Sequence, residues 1–195
     1  GSSEKVSSIK RVEFNPHAKL AEIAGLYLGV KETGNNLAGS SKALLDIFKA
    51  DNLAPNGRTD GYPWCAAFVS FCVQQLQRQS YFFDGLNPPR EASVSRFLNS
   101  WAKSSGCVIF QNNNATLTPR VGDIVVFTFS HIGIVEGVSG GVVTTIEGNT
   151  NSAGSREGNI VARKKRTPSL IRSYIRLPLS VSALPKFVDK VANIC

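Results

Sequence analysis

The chain has 195 residues, 42% of them hydrophobic and 18% charged, the balance of one ordinary globular domain that can bury a sizeable core. No apolar run approaches the roughly 18 to 20 residues of a membrane-crossing helix, so a spanning segment is excluded, and so is low-complexity disorder. With 22 Lys and Arg against 14 Asp and Glu, the net charge of +8 favours an acidic partner such as nucleic acid, anionic lipid or a wall polyanion, without choosing among them. The chain begins Gly1-Ser2-Ser3 and contains no Met, which reads as a processed or recombinant start, so export is not legible.

The first predicted element is a helix over 16–30, with Asn15 as cap, Pro16 at the first position and Leu20, Ile23, Ala24, Tyr27 and Leu28 on one stripe. Thr33-Gly34-Asn35-Asn36 ends it, and Ser40 is predicted to cap a second helix carrying Leu44, Leu45, Ile47 and Phe48. Residues 51–63 read as a polar loop. From Pro63 onward, Cys65, Phe68, Val69, Cys72, Val73 and Leu76 recur with helical spacing, which puts Cys65 in a first turn. A fourth helix is predicted over 91–103, with Val94, Phe97, Leu98 and Trp101 on one face. After Gly106 the pattern changes to short β-branched segments at 123–129, 132–138 and 142–146, with Ser139-Gly140-Gly141 as a hairpin turn, and one more strand at 170–176. Helices followed by antiparallel strands predict one α+β domain with N-terminal helices packed on a small antiparallel sheet. The predicted organisation is a tail at 1–15, a single domain at 16–180 and an extension at 181–195, with a short closing helix near 185–194.

The four cysteines, Cys65, Cys72, Cys107 and Cys195, form no CxxC pair, and with two histidines they predict no structural zinc site. Cys65 and Cys72 on one helix lie about 10 Å apart, too far for a bridge. Cys65 is the informative position: at a helix N-terminus, free backbone N–H groups and the helix dipole stabilise a thiolate and leave donors for an oxyanion. The competing reading is a buried inert cysteine, since Cys65 shares the apolar face of Phe68 and Cys72. A thiol nucleophile needs a base. His131 opens a strand, whereas His17 sits near the first helix start and is predicted exposed. The base needs an orienting acceptor, and Ile146-Glu147-Gly148-Asn149 offers two, Glu147 and Asn149, on one face of the adjoining strand. Gly148 between them permits close backbone approach. The basic run Arg163-Lys164-Lys165-Arg166 reads as a solvated strand or turn face, and no nucleic-acid motif accompanies it.

Four stretches in order, 63–69 (Pro-Trp-Cys-Ala-Ala-Phe-Val), 122–127 (Gly-Asp-Ile-Val-Val-Phe), 131–135 (His-Ile-Gly-Ile-Val) and 146–150 (Ile-Glu-Gly-Asn-Thr), resemble the CHAP family of peptidoglycan amidohydrolases. This family lies within the wider NlpC/P60-like group of papain-related cell-wall hydrolases. Weaker likeness extends to 29–32 and 154–158. The resemblance implies a papain-like fold with Cys65 as nucleophile, His131 as general base and acid, Glu147 as the orienting group and Asn149 as an additional polar position of the site. It further implies hydrolysis of an amide of peptidoglycan, at the muramoyl–alanine link or within the stem or cross-bridge, through a thioester and without a cofactor. The expected partner is peptidoglycan, with no nucleic acid and no transmembrane segment. The expected setting is a monomer acting outside the cytoplasm or delivered to the wall by a phage. Where relatives carry a small capping residue this chain has Tyr62, which leaves Asp60, Thr59 or nothing as the cap. Tyr62 and Trp64 are the candidates for lining a cleft, with core packing as the alternative for Trp64. Three rival functions share these features: a wall-binding module that does not cleave, a structural part of a phage tail or secretion apparatus, and a papain-like amidase acting on another substrate.

Overall fold

The structure is a computed structural model that describes residues 14–53, 63–151 and 158–180. The predicted C-terminal helix, Tyr62, Thr59, Asp60, Cys195 and the segment 154–157 lie outside the described residues.

Ahead of the sheet run the helices α1 (Ala18–Gly25), α2 (Lys42–Phe48) and α3 (Cys65–Gln79). Asn15 accepts from the His17 N–H ahead of α1, but the helix ends well before residue 30. Its continuation is drawn into the sheet instead: the Gly29 N–H donates to Val161, and Val30 accepts from Val161. Backbone pairing with a strand outcompetes the apolar stripe of Tyr27 and Leu28. The cap of α2 is Ser41, not Ser40, its Oγ accepting from the Leu44 N–H at 3.2 Å. Helix α3 is buried without interruption from Cys65 to Val73, so it runs through the core and not along its surface. Truncating one of its central side chains, such as Phe68, would cost about 3 to 5 kcal/mol. A short helix α4 (Val94–Arg96), capped by Ser93, widens into a π-helix over Phe97–Ala102.

Six strands, β1 (Val108–Phe110), β2 (Ile124–Phe127), β3 (Ile132–Ser139), β4 (Val142–Thr150), β5 (Ile160–Arg166) and β6 (Ile171–Arg176), form one antiparallel sheet in the order β1-β6-β2-β3-β4-β5. The α+β class and the predicted turn between β3 and β4 are both present. One sheet face packs Ile124, Val126, Ile132, Ile134 and Ile146 against the helices. The other carries a smaller cluster of Phe110, Val125, Phe127, Val135, Val143, Ile171 and Tyr174.

Two strands escaped the sequence pattern. β1 is three residues long, and β5 contains the basic run, where Arg163 and Lys165 face solvent on an edge strand. Arg166 does not: it is buried. His17 departs from expectation in the same sense, being only 2% exposed. Its Nε2 donates to the Leu177 carbonyl at 2.7 Å and its Nδ1 accepts from Arg120 at 3.2 Å, so a neutral ring pins the start of α1 to the chain beyond β6. Burial pushes this imidazole below its ordinary range. At the start of β2, Asp123 accepts from Arg176 Nε and Nη2 at 2.9 and 2.8 Å and from the Arg120 N–H, which ties β2 to β6. None of the described helices is long and apolar enough to cross a membrane.

Candidate active site

The side chain of Cys65 projects from the first turn of α3, behind Trp64, which stands at the N-cap position without a capping side chain of its own. The missing cap comes from β4. Asn149 Oδ1 accepts from the Trp64 N–H at 2.9 Å, a role the sequence had assigned to Asp60, Thr59 or no residue. Asn149 adopts φ 55, and its Nδ2 donates to the Gly158 carbonyl at 2.5 Å and to Asn36 Oδ1 at 3.3 Å. The next free donors of α3, the Cys65, Ala66 and Ala67 N–H groups, lack the intrahelical acceptors that begin with Phe68 N–H to Trp64. A Cβ on Gly148 would stand 2.7 Å from Phe68 Cβ and 3.0 Å from the Trp64 ring, so only glycine lets β4 lie this close to the helix.

Trp64 itself is fully buried, packs on Phe48 and donates its indole N–H to Glu32 at 2.7 Å. It belongs to the core, and the cleft-lining alternative for it is set aside. Cys72 is also core, its thiol pushed far up by burial. Cys65, Cys72 and Cys107 are free thiols.

His131 follows Ser130 in the short turn between β2 and β3, and its ring stacks at 5.7 Å on both Phe127 and Phe129. Its Nε2 donates to Glu147 Oε1 at 2.8 Å. The carboxylate reaches the ring by crossing β3 at Gly133, where a Cβ would meet Glu147 Cγ at 2.7 Å. The second ring nitrogen, Nδ1, is buried without an aligned hydrogen-bond partner, and the Cys65 thiol is near enough to raise the imidazole.

Glu147 is the hub. Oε1 accepts from His131 and, at 2.5 Å, from Arg166 Nη2, while Oε2 accepts from Arg166 Nε at 2.8 Å and from the Thr145 hydroxyl at 2.5 Å. Four donors meet the four lone-pair directions of one carboxylate. Arg166 completes the layer from above, its guanidinium 4.7 Å from the Phe127 ring centroid and 5.2 Å from that of Phe129. Burial opposes charge on Glu147, but the bonds from Arg166 and then His131 outweigh it and hold the carboxyl down at about 2. Burial also opposes charge on His131, and there hydrogen bonding with Cys65 and Glu147, together with their charges, lifts the imidazole to about 9.

Sequence reasoning missed Arg166 and Thr145. Thr145 stands two residues before Glu147 on the same strand face, and that spacing was the available signal. The signal for Arg166 was the alternation of β5, whose register places Ala162 opposite Glu147 and Arg166 four residues further along the same face. Among the described residues, no three His, Cys, Asp or Glu side chains are grouped so as to hold a metal ion.

A thiol at a helix N-terminus beside an imidazole backed by a buried carboxylate holds the groups that nucleophilic catalysis by cysteine requires. Residues 57–149 match the model of the CHAP domain family. Solved structures similar to this chain include the crystal structure of Ly7917, at 16% identity and TM-score 0.46, covering 83% of this chain and 62% of that one. Another is that of Ly7917 with the hydrolyzing product of MDP, also at 16% identity and TM-score 0.46, covering 84% and 63%. This chain therefore spans less than two thirds of the length of that protein. No curated protein matches it.

Proposed function

We propose that the protein is a cysteine-dependent peptidoglycan hydrolase that cleaves an amide of the wall peptide. The observation that carries the reading is the row Cys65, His131, Glu147, in which one imidazole nitrogen is fixed by a buried carboxylate and the other is left to a thiol at a helix N-terminus. The CHAP domain match supports peptidoglycan as the substrate class.

In the proposed mechanism, His131 Nδ1 takes the Cys65 proton while Nε2–H stays on Glu147, and the resulting imidazolium is stabilised by the carboxylate. The thiolate attacks the amide carbon, a C–S bond forms, and the oxygen gains negative charge facing the free N–H groups of the first turn of α3. Nδ1–H then passes its proton to the departing nitrogen as the C–N bond breaks, leaving a thioester. A water gives a proton to Nδ1 as its oxygen attacks the thioester, and cleavage of the C–S bond restores the thiolate–imidazolium pair. Asn149 is a positioning residue in this scheme. Both ends of its amide are engaged in holding the N-terminus of α3, Gly158 and Asn36, so it sets where the nucleophile stands. The excess of positive charge favours approach to an anionic wall, outside the cytoplasm or after delivery to it.

The test is digestion of purified peptidoglycan by the protein and by Cys65→Ser, with mass spectrometry of the released fragments. Fragments that depend on Cys65 and carry a new amine and carboxylate support the reading and name the bond. Equal release by both proteins removes Cys65 as nucleophile, and binding without release favours a wall-binding module.

A further inference from the structure

A cavity of about 230 Å³ lies between the helical segment beginning at Val94 and the β2–β3 turn. It has an apolar floor that includes Val126 and Phe127 and a polar rim that includes Asn99, Ser130 and Arg172. Two of its lining residues adjoin His131 of the candidate active site. Phe127 stacks on the His131 ring, and Ser130, held at φ 58, is the residue directly before it. Asn99 sits on the π-helical stretch, a backbone irregularity that recurs at functional sites. We propose that this cavity is a substrate subsite that takes one carboxylate-bearing amino-acid residue of the wall peptide beside the scissile amide, with Arg172 as the residue that recognises the acid.

The charge balance of the cavity decides the ligand class. No Asp or Glu lines it, and among the described residues Arg172 has no carboxylate partner, whereas Arg163, Arg166 and Arg176 each hold one. A guanidinium at the rim of an apolar hollow, with amide and hydroxyl groups beside it, is built to pair a carboxylate in a fork and to seat an aliphatic stem below it. The volume falls short of the roughly 300 Å³ at which sites for larger ligands begin, so it takes a single residue and not a sugar. Stem peptides of peptidoglycan are short chains rich in free carboxylates, which matches both size and sign. The inference rests on the proposed function for its substrate and adds which feature of that substrate is read.

The experiment uses two synthetic wall peptides that differ only in whether the side-chain carboxylate next to the scissile bond is free or amidated. Wild type is expected to prefer the free acid. Arg172→Met should lower kcat/KM on that peptide about tenfold, mainly through KM, and leave the amidated peptide unchanged, with Arg172→Lys recovering part of the loss. Equal loss on both peptides, or none on either, overturns the assignment. Binding of the same pair to Cys65→Ala, measured by calorimetry, reads the subsite without chemistry. A preference for the acid there that survives Arg172→Met overturns the subsite even if hydrolysis is real. If wild type cleaves neither peptide and leaves whole peptidoglycan intact, the hydrolase reading fails, and the binding preference alone then decides the subsite.

Discussion

Replacing Arg166 by methionine keeps most of the volume and the contact with Phe127 but removes both guanidinium bonds to Glu147. The two side chains are 7% and 0% exposed, so the carboxylate would be left charged in the interior with only His131 and Thr145 as donors. Breaking a buried pair in this way costs about 3 to 5 kcal/mol. The cost depends on pH, with a definite sign. In the native protein the Glu147 carboxyl is held at about 2, below its ordinary 4.5, so its contribution is complete above about 4.5 and is lost as the pH falls through about 2. Without Arg166 most of that depression goes. The stability gap between wild type and Arg166→Met is therefore widest near neutral pH and closes as the pH falls from about 4.5 toward 2. Urea unfolding of both proteins across this range, with the double variant Arg166→Met/Glu147→Gln recovering part of the loss near neutral pH, measures it. A gap below about 1 kcal/mol at neutral pH, the scale of an exposed ion pair, or one that stays constant with pH, would refute the argument.

Cys65→Ala and His131→Ala are each expected to abolish peptidoglycan hydrolysis while the circular dichroism spectrum and cooperative unfolding persist. The kcat/KM profile should fall on its alkaline side near pH 9, where the His131 imidazolium is lost. Glu147→Gln should move that limb to lower pH and leave a remnant of activity, because the carboxylate raises the imidazole. Asn149→Ala removes the bond to the Trp64 N–H and should lower kcat at least tenfold with little change in KM, read by steady-state kinetics on a synthetic wall peptide. For His17, whose imidazole is lowered by burial, stability is complete above about 6.5 and declines as the pH falls below it; thermal melts of His17→Gln should show this slope flattened.

Much of this site was legible because its chemistry sits on strongly patterned elements. The spacing from Cys65 to Leu76 placed the thiol on a first helical turn, and the two-residue separation of Glu147 and Asn149 fixed them to neighbouring positions of one strand. What stayed hidden was long-range. Nothing local distinguishes Arg166 from Arg163 or Lys165, and its burial follows only from where β5 pairs with β4. The cap of α3 likewise arrives from a strand 85 residues away, beyond any reading of the residues that precede the helix. His17 looked exposed because a helix start usually is, and the chain beyond β6 that covers it lies 160 residues further on. Fold class and the placement of the Cys65 thiol are encoded in short windows, whereas the electrostatic support of the His131 imidazole is encoded in strand register.

The saturation of Glu147 has a kinetic consequence. With each oxygen already accepting two hydrogen bonds, the carboxylate offers no vacant position to a water or a travelling proton. In the proposed mechanism, proton traffic in the chemical steps is thus confined to a single nitrogen, Nδ1 of His131. A site wired this way should give a linear dependence of rate on deuterium content in mixed isotopic water, the mark of one proton in flight, where a relay through the carboxylate would bend the line.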